Sequence, residues 1–309
     1  MKTILKSFLC ILLLASSFSS NAQKTEDQAS NAAMLYFAQD LPGKTPAVFA
    51  PGVISKPDRY EFGCTISGDG TEFYFGVDNN GKMETHRTVL INGKWSRQEN
   101  IFPNEPYGYN DPMFTPDEKR LFFISNRPTK SNKNKQDIDI WYIERTNGDW
   151  SEPINAGSEI NNNLDQYYSS FTADGSLYYG SRMPDEKNLG YSFDIYKSPF
   201  VDGQFTTPIK LPQEINTDRY EADVFVAPDE SYMVFCSIRP EGFGRGDLYI
   251  SFKDENGNWK KAVHMDKSIN TKGHELCPFV TKDGKYFFYT SNEDIYWVSS
   301  DIFEAYRNR

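Results

Sequence analysis

Five residues able to do acid–base or hydrogen-bond chemistry, Glu61, Tyr109, Gln166, Glu221 and Glu275, each stand eight positions ahead of an aspartate: Asp69, Asp117, Asp174, Asp229 and Asp283. Two residues beyond each of the five come Gly63, Asp111, Tyr168, Asp223 and Cys277. Carboxylates gathered at this density raise one another's pKa and attract a cation or a ligand amine. A pair of them about 5–5.5 Å or 6.5–9.5 Å apart is also what glycosidic-bond cleavage requires. Arg127, Arg182 and Arg239 each close an apolar run that follows one of the aspartates. Each has Asp139, Asp194 or Asp247 further along as an expected ion-pair partner. Gripping a ligand is the alternative role for these arginines.

Such residues converge only if the segments carrying them are repeats of one unit, and the sequence says that they are. Asp111-Pro-Met-Phe-Thr-Pro-Asp117 reads as a short strand and turn, Leu121 to Ser125 as a second strand, Asp139 to Arg145 as a third and Trp150 to Asn155 as a fourth. The same order of parts returns after Asp69, Asp174, Asp229 and Asp283, at intervals of about 48 to 57 residues. The period and strand count predict an all-β chain: a single five-bladed β-propeller of four-stranded blades. The last repeat lacks its fourth strand, whereas an apolar stretch, Ala47 to Ala50, precedes the first. Ile54 to Glu61 aligns with Ile215 to Glu221, so Ala47 to Ala50 occupies the place of a fourth strand. It is expected to complete the last blade, because an open ring would leave a strand edge exposed. Innermost strands surround a channel, so the two sets of five residues are expected around one acidic mouth.

Phe-Thr-Pro-Asp at 114–117, a strand ending Ser-Asn-Arg at 125–127, and Asp-Ile-Trp or Asp-Ile-Tyr at 139–141, 194–196 and 294–296 carry a resemblance. This pattern resembles the WD-like, or PD-type, repeat of TolB-like bacterial propellers, and covers roughly residues 60 to 300. The resemblance implies a propeller, and a function as binding platform or enzyme scaffold. The expected function is an exported binding module for a protein, peptide or glycan at the acidic mouth, with Glu61, Tyr109, Asp111, Gln166, Glu221, Asp223, Glu275, Arg127, Arg182 and Arg239 as ligand-binding candidates. The alternative is a glycan-cleaving enzyme using carboxylates of the same mouth. Tyr191, Phe193, Phe243 and Arg245, on long loops between second and third strands, are suited to stacking on a sugar or gripping a peptide.

Composition narrows the partners. The chain has 309 residues, a net charge of -10 and a pI near 5.0, a balance that opposes nucleic acid and anionic membrane surfaces. Lys130, Lys133 and Lys135 form a local basic run expected to be a solvated loop. Three histidines without ligand spacing predict no metal, and no nucleophile elbow or phosphate loop is present, so no cofactor is expected. Lys2 and Lys6, the apolar run Phe8 to Ala15 and Ser20-Asn-Ala22 predict a signal peptide over 1–22, too short to span a bilayer. Cys10 lies inside that apolar run, so lipidation is not expected; a periplasmic or secreted monomer is. Thr25-Glu-Asp-Gln28 with Ala29, Ala32, Ala33, Tyr36 and Phe37 predicts a short helix to about Gln39, within an extension over 23–45 docked on the propeller at 46–309. Cys64, Cys236 and Cys277 are expected to pack as small apolar residues rather than to form a disulfide framework.

Overall fold

A computed structural model describes residues 34–129, 137–185, 190–307 and 309. The expectations for the signal peptide, Cys10, most of the helix and the basic run at Lys130, Lys133 and Lys135 lie outside these residues. Each repeat unit folds into an antiparallel sheet, and the inner strands, Tyr60–Ile66, Tyr109–Phe114, Gln166–Phe171, Tyr220–Val226 and Leu276–Val280, close a ring of five blades. Both faces of a blade press on neighbours, so its strands read as unbroken bulky runs rather than alternating ones. Phe73, Tyr74 and Phe75 in blade 1 and Leu121 to Ile124 in blade 2 are all buried.

The turn aspartates hold the inner hairpins. In blade 3 the Asp174 carboxylate accepts from the Thr172 hydroxyl at 2.5 Å and the Ser176 N–H at 3.0 Å, and these bonds hold its pKa below the usual range. Asp117 and Asp283 repeat the arrangement with Thr115 and Thr281. A carboxylate closing its own turn favours a tight connector, which is why aspartate marks the period.

Ring closure follows the expected route. Ala47 pairs with Trp297 and Val48 with Tyr296, so a strand from the start of the chain is the fourth strand of blade 5. The next residue, Phe49, is fully buried against Phe73, Phe288 and Trp297. It therefore joins blade 1 to blade 5. Ahead of it, Tyr36 packs on Tyr286 and Trp297, and Phe37 stacks on Trp95 at 4.2 Å. Phe37 and Ala38 take left-handed backbone angles, φ 60° and 56°, which end any helix there. The extension thus docks over the closing seam.

Between blades the linkers are fixed by a repeated amide. Asn161, Asn216 and Asn270 each accept from and donate to the backbone of one third-strand residue, Ile140, Ile195 and Leu248 respectively. Each amide mimics a strand partner and sets where the next inner strand begins.

Candidate ligand-binding mouth

The five residues that open the inner strands are clamps. Glu221 has no exposed surface; it accepts from the Thr217 N–H and hydroxyl, the Ser237 hydroxyl and Arg239 Nε. Glu275, also fully buried, accepts from the Thr271 N–H and hydroxyl and from Ser291. Gln166 accepts from the Asn162 N–H and donates to Ser181. Glu61 accepts from the Lys56 N–H and from Arg59; burial raises its pKa against those bonds. Tyr109 stacks on Phe102 at 4.1 Å and accepts from Arg127. The expected convergence of Glu61, Glu221 and Glu275 on one mouth is therefore corrected: each carboxylate bonds its own incoming linker, and Glu221 and Glu275 also tie that linker to the second strand through Ser237 and Ser291. Burying a carboxylate demands such bonds.

The arginine pairing is corrected as well. Arg239 pairs with Glu221 at 3.2 Å, Arg182 with Asp165 at 2.7 Å and Arg127 with Glu105 at 3.4 Å, so each has an acid in or just before its inner strand. The third-strand acids have other partners: Asp139 accepts from Asn155, Asp194 from Lys210, and Asp247 lies 2.6 Å from His264. Phe193 fills space between Tyr167 and Tyr220, while Phe243 packs on His264.

What the inner strands do bring together is the second set of five. Gly63, Asp111, Tyr168, Asp223 and Cys277 all have positive φ, 45°, 54°, 53°, 48° and 52°, and each inner strand shifts register at that point. One bulge per blade re-aims one side chain. A Cβ on Gly63 would meet Asp111 Oδ1 at 2.8 Å and Cys277 Sγ at 3.4 Å, so glycine is required there by conformation and by space. The Cys277 thiol lies 3.6 Å from Asp111 Oδ1, and the Tyr168 hydroxyl donates to the Pro278 carbonyl at 2.9 Å. These residues form one layer across the channel.

Asp111 and Asp223 come from blades 2 and 4 and are 5% and 7% exposed. Burial raises both carboxyls, and the charge of Asp223 raises Asp111 further. Asn110 donates to Asp111, and the Cys277 backbone hydrogen-bonds to Asp223. Among the described residues no Lys, Arg or His pairs with either. Half-buried Tyr60 and Tyr167 feel both charges, and Tyr220 feels Asp223; burial chiefly, and then these charges, push the three phenols up. Sequence reasoning missed these tyrosines. For Tyr60 and Tyr220 the signal was Arg-Tyr-Glu, repeated at 59–61 and 219–221; Tyr167, which follows Gln166, lies outside that motif.

Two cavities lie at the opposite, turn-bearing face. One of about 270 Å³ closes the far end of the channel, lined by Ile66, Met113, Phe114, Phe171, Phe225 and Phe279. Another, about 550 Å³, opens between blades 2 and 3 beside Arg120, Glu144, Arg145, Phe200 and Phe205. Among the described residues, Cys64, Cys236 and Cys277 are free and buried. Among the described residues no group of three or more His, Cys, Asp or Glu is placed to hold a metal ion, and no helix is long and apolar enough to cross a membrane.

The fold is a five-bladed β-propeller. No family model and no curated protein matches the sequence. Solved structures do: an endo-arabinase from Bacteroides thetaiotaomicron superposes with a TM-score of 0.52 at 13% identity, over 84% of this chain and 97% of that one. Hydrazine synthase of Kuenenia stuttgartiensis gives 0.51 at 12% identity, over 78% of this chain and 37% of that one. TolB from Acinetobacter baumannii gives 0.48 at 13% identity over 78% of this chain, which spans 54% of the TolB chain. At such identities the likeness establishes architecture alone.

Proposed function

We propose that the protein is an exported binding module. Its ligand is a basic group of a protein or peptide partner, a lysine or arginine side chain or an amino terminus, received at the mouth beside Tyr60, Tyr167 and Tyr220. The observation that carries this is the uncompensated pair Asp111 and Asp223, two buried carboxyls in one layer with no cation of their own. A cation there relieves their repulsion, and tyrosine rings favour it on the way in. The pair is only 5% and 7% exposed, which suits a single narrow cationic group better than a sugar ring lying flat. The other acids are already engaged in hydrogen bonds, which favours binding over glycan cleavage. Arg182 and Asp165, half-buried and paired, extend the polar rim.

The test is titration calorimetry of the mature protein with short peptides that differ only in one lysine, arginine or norleucine. We expect the basic peptides to bind, and the Asp111→Asn, Asp223→Asn double variant to lose them while keeping its melting transition. Equal binding of the norleucine peptide, or an unchanged affinity in the folded double variant, would overturn the reading.

A further inference from the structure

The apolar cavity at the far end of the channel has a headgroup seat at its mouth. Its walls are inner-strand side chains two to three residues beyond the aspartate layer: Met113, Phe114, Phe171, Phe225 and Phe279, with Ile66. An engineered apolar cavity of about 150 Å³ takes up benzene. The volume here, about 270 Å³, is larger than that, room for a ring with a short chain or a folded aliphatic chain.

At the rim Glu118 of blade 2 reaches across the turn of blade 1 to Lys282 of blade 5, Nζ to Oε1 2.6 Å. The same oxygen accepts from the Gly68 N–H at 3.0 Å. Lys282 Nζ also donates to the Pro116 carbonyl at 3.1 Å, which holds the ammonium over the opening. Lys282 and the Gly68 N–H therefore make a two-donor seat for a carboxylate, and a side chain of the protein sits in it. A Cβ on Gly68 would meet Glu118 Oε1 and Lys282 Cδ each at 2.6 Å, so the bare glycine is what lets the seat form. The Glu118 side chain is 27% exposed and that of Lys282 56%, so the pair is open to exchange with solvent species. Exposed ion pairs are weak, and a carboxylate that also brings an apolar body gains the burial that Glu118 cannot supply.

We propose that this cavity is a second ligand site, for a free monocarboxylic acid with a compact apolar body. The acid's tail fills the channel end, and its carboxylate displaces that of Glu118 from Lys282 and the Gly68 N–H. The site is separate from the acidic layer, and its occupancy does not depend on Asp111 or Asp223.

Octanoate and octanol, titrated calorimetrically into the protein, are the probes, with acetyl-glycyl-phenylalanine as a peptide carboxylate. We expect saturable binding of octanoate, tighter in Glu118→Gln because Lys282 is released. In Lys282→Met it should weaken by about tenfold or more, the loss of one charge-assisted contact. Ala173 is exposed and lines the opening, so Ala173→Trp should abolish binding without disturbing the core. A melting curve checks that each variant is folded. The proposal is overturned by octanol binding as tightly as octanoate, by octanoate affinity indifferent to Lys282 or to Ala173→Trp, or by no saturable binding in Glu118→Gln. Binding of the peptide acid alone would likewise overturn it, since the site would then read a chain terminus.

Discussion

Replacing Asp111 with asparagine tests the acidic layer most directly. Both members of the pair are buried and, among the described residues, neither has a cationic partner, so burial raises both folded-state pKa values and the charge of Asp223 raises that of Asp111 further. A carboxyl whose folded pKa exceeds its unfolded value contributes fully below the unfolded value of about 3.9, and that contribution is lost as pH rises through the folded pKa. A tenfold difference in proton affinity between the folded and unfolded chain is worth about 1.4 kcal/mol, so even a hundredfold difference costs about 3 kcal/mol once the carboxyl must ionise. Asparagine keeps the shape, removes the charge and tolerates the φ of 54° at this position. The Asn110 amide can rotate to accept where it now donates. Asp111→Asn should therefore raise the melting temperature at pH 8 by about 6–12 °C, at roughly 2–4 °C per kcal/mol for a chain of a few hundred residues. At pH 4 it should change almost nothing. Differential scanning calorimetry across that range decides. A gain equal at both pH values, or a loss at pH 8, would refute the claim that this carboxyl is held against its charge.

The other expectations follow from the same geometry. Affinity for a basic peptide should rise with pH through the raised carboxyl values, since a bound cation favours the ionised pair and expels its proton; calorimetry in buffers of different ionisation enthalpy would detect the release. Arg239→Ala should cost about 3–5 kcal/mol in chemical denaturation, because it strands fully buried Glu221, whereas Arg182→Ala, with a side chain 39% exposed, should cost only about 0.2–1. Equal losses would show that burial does not separate the two pairs. Phe49→Ala should cost about 3–5 kcal/mol and broaden the melt, since it empties the seam between blades 1 and 5. A silent substitution there would mean that the seam does not hold the ring. Gly63→Ala should destabilise by more than about 1 kcal/mol, from the positive φ and the 2.8 Å approach to Asp111 together. An unchanged midpoint in urea would count against the close-packed layer.

The architecture was legible because its signals are local and repeated. A turn aspartate that accepts from its own loop must recur wherever the hairpin does, and the missing fourth strand of the last repeat had one apolar replacement, at Ala47 to Ala50. The acids were harder to place. Alignment puts Glu61, Glu221 and Glu275 correctly at the start of the inner strands, but a regular pleat turns residues two apart to the same face, so it sends both sets into the channel. The bulge separates them. Turning one residue per blade to positive φ points Asp111 and Asp223 into the channel and leaves the glutamates facing the linkers.

Glycine at 63 is the trace that bulge leaves in the sequence, yet the other four blades adopt the same conformation with Asp, Tyr, Asp and Cys. A left-handed tyrosine or cysteine is costly, of order 1 kcal/mol or more, and four such residues side by side persist only because the ring fixes them. Strain of this kind is thus present in the layer that also carries the two carboxyls without a cation. That coincidence of backbone strain and uncompensated charge sets the layer apart from buried Glu61, Glu72 and Glu221, each of which has an arginine beside it. Glu72 and Glu230 reach a cation of the neighbouring blade, Arg145 and Lys197, and Glu221 has Arg239, whereas among the described residues no cation pairs with Asp111 or Asp223.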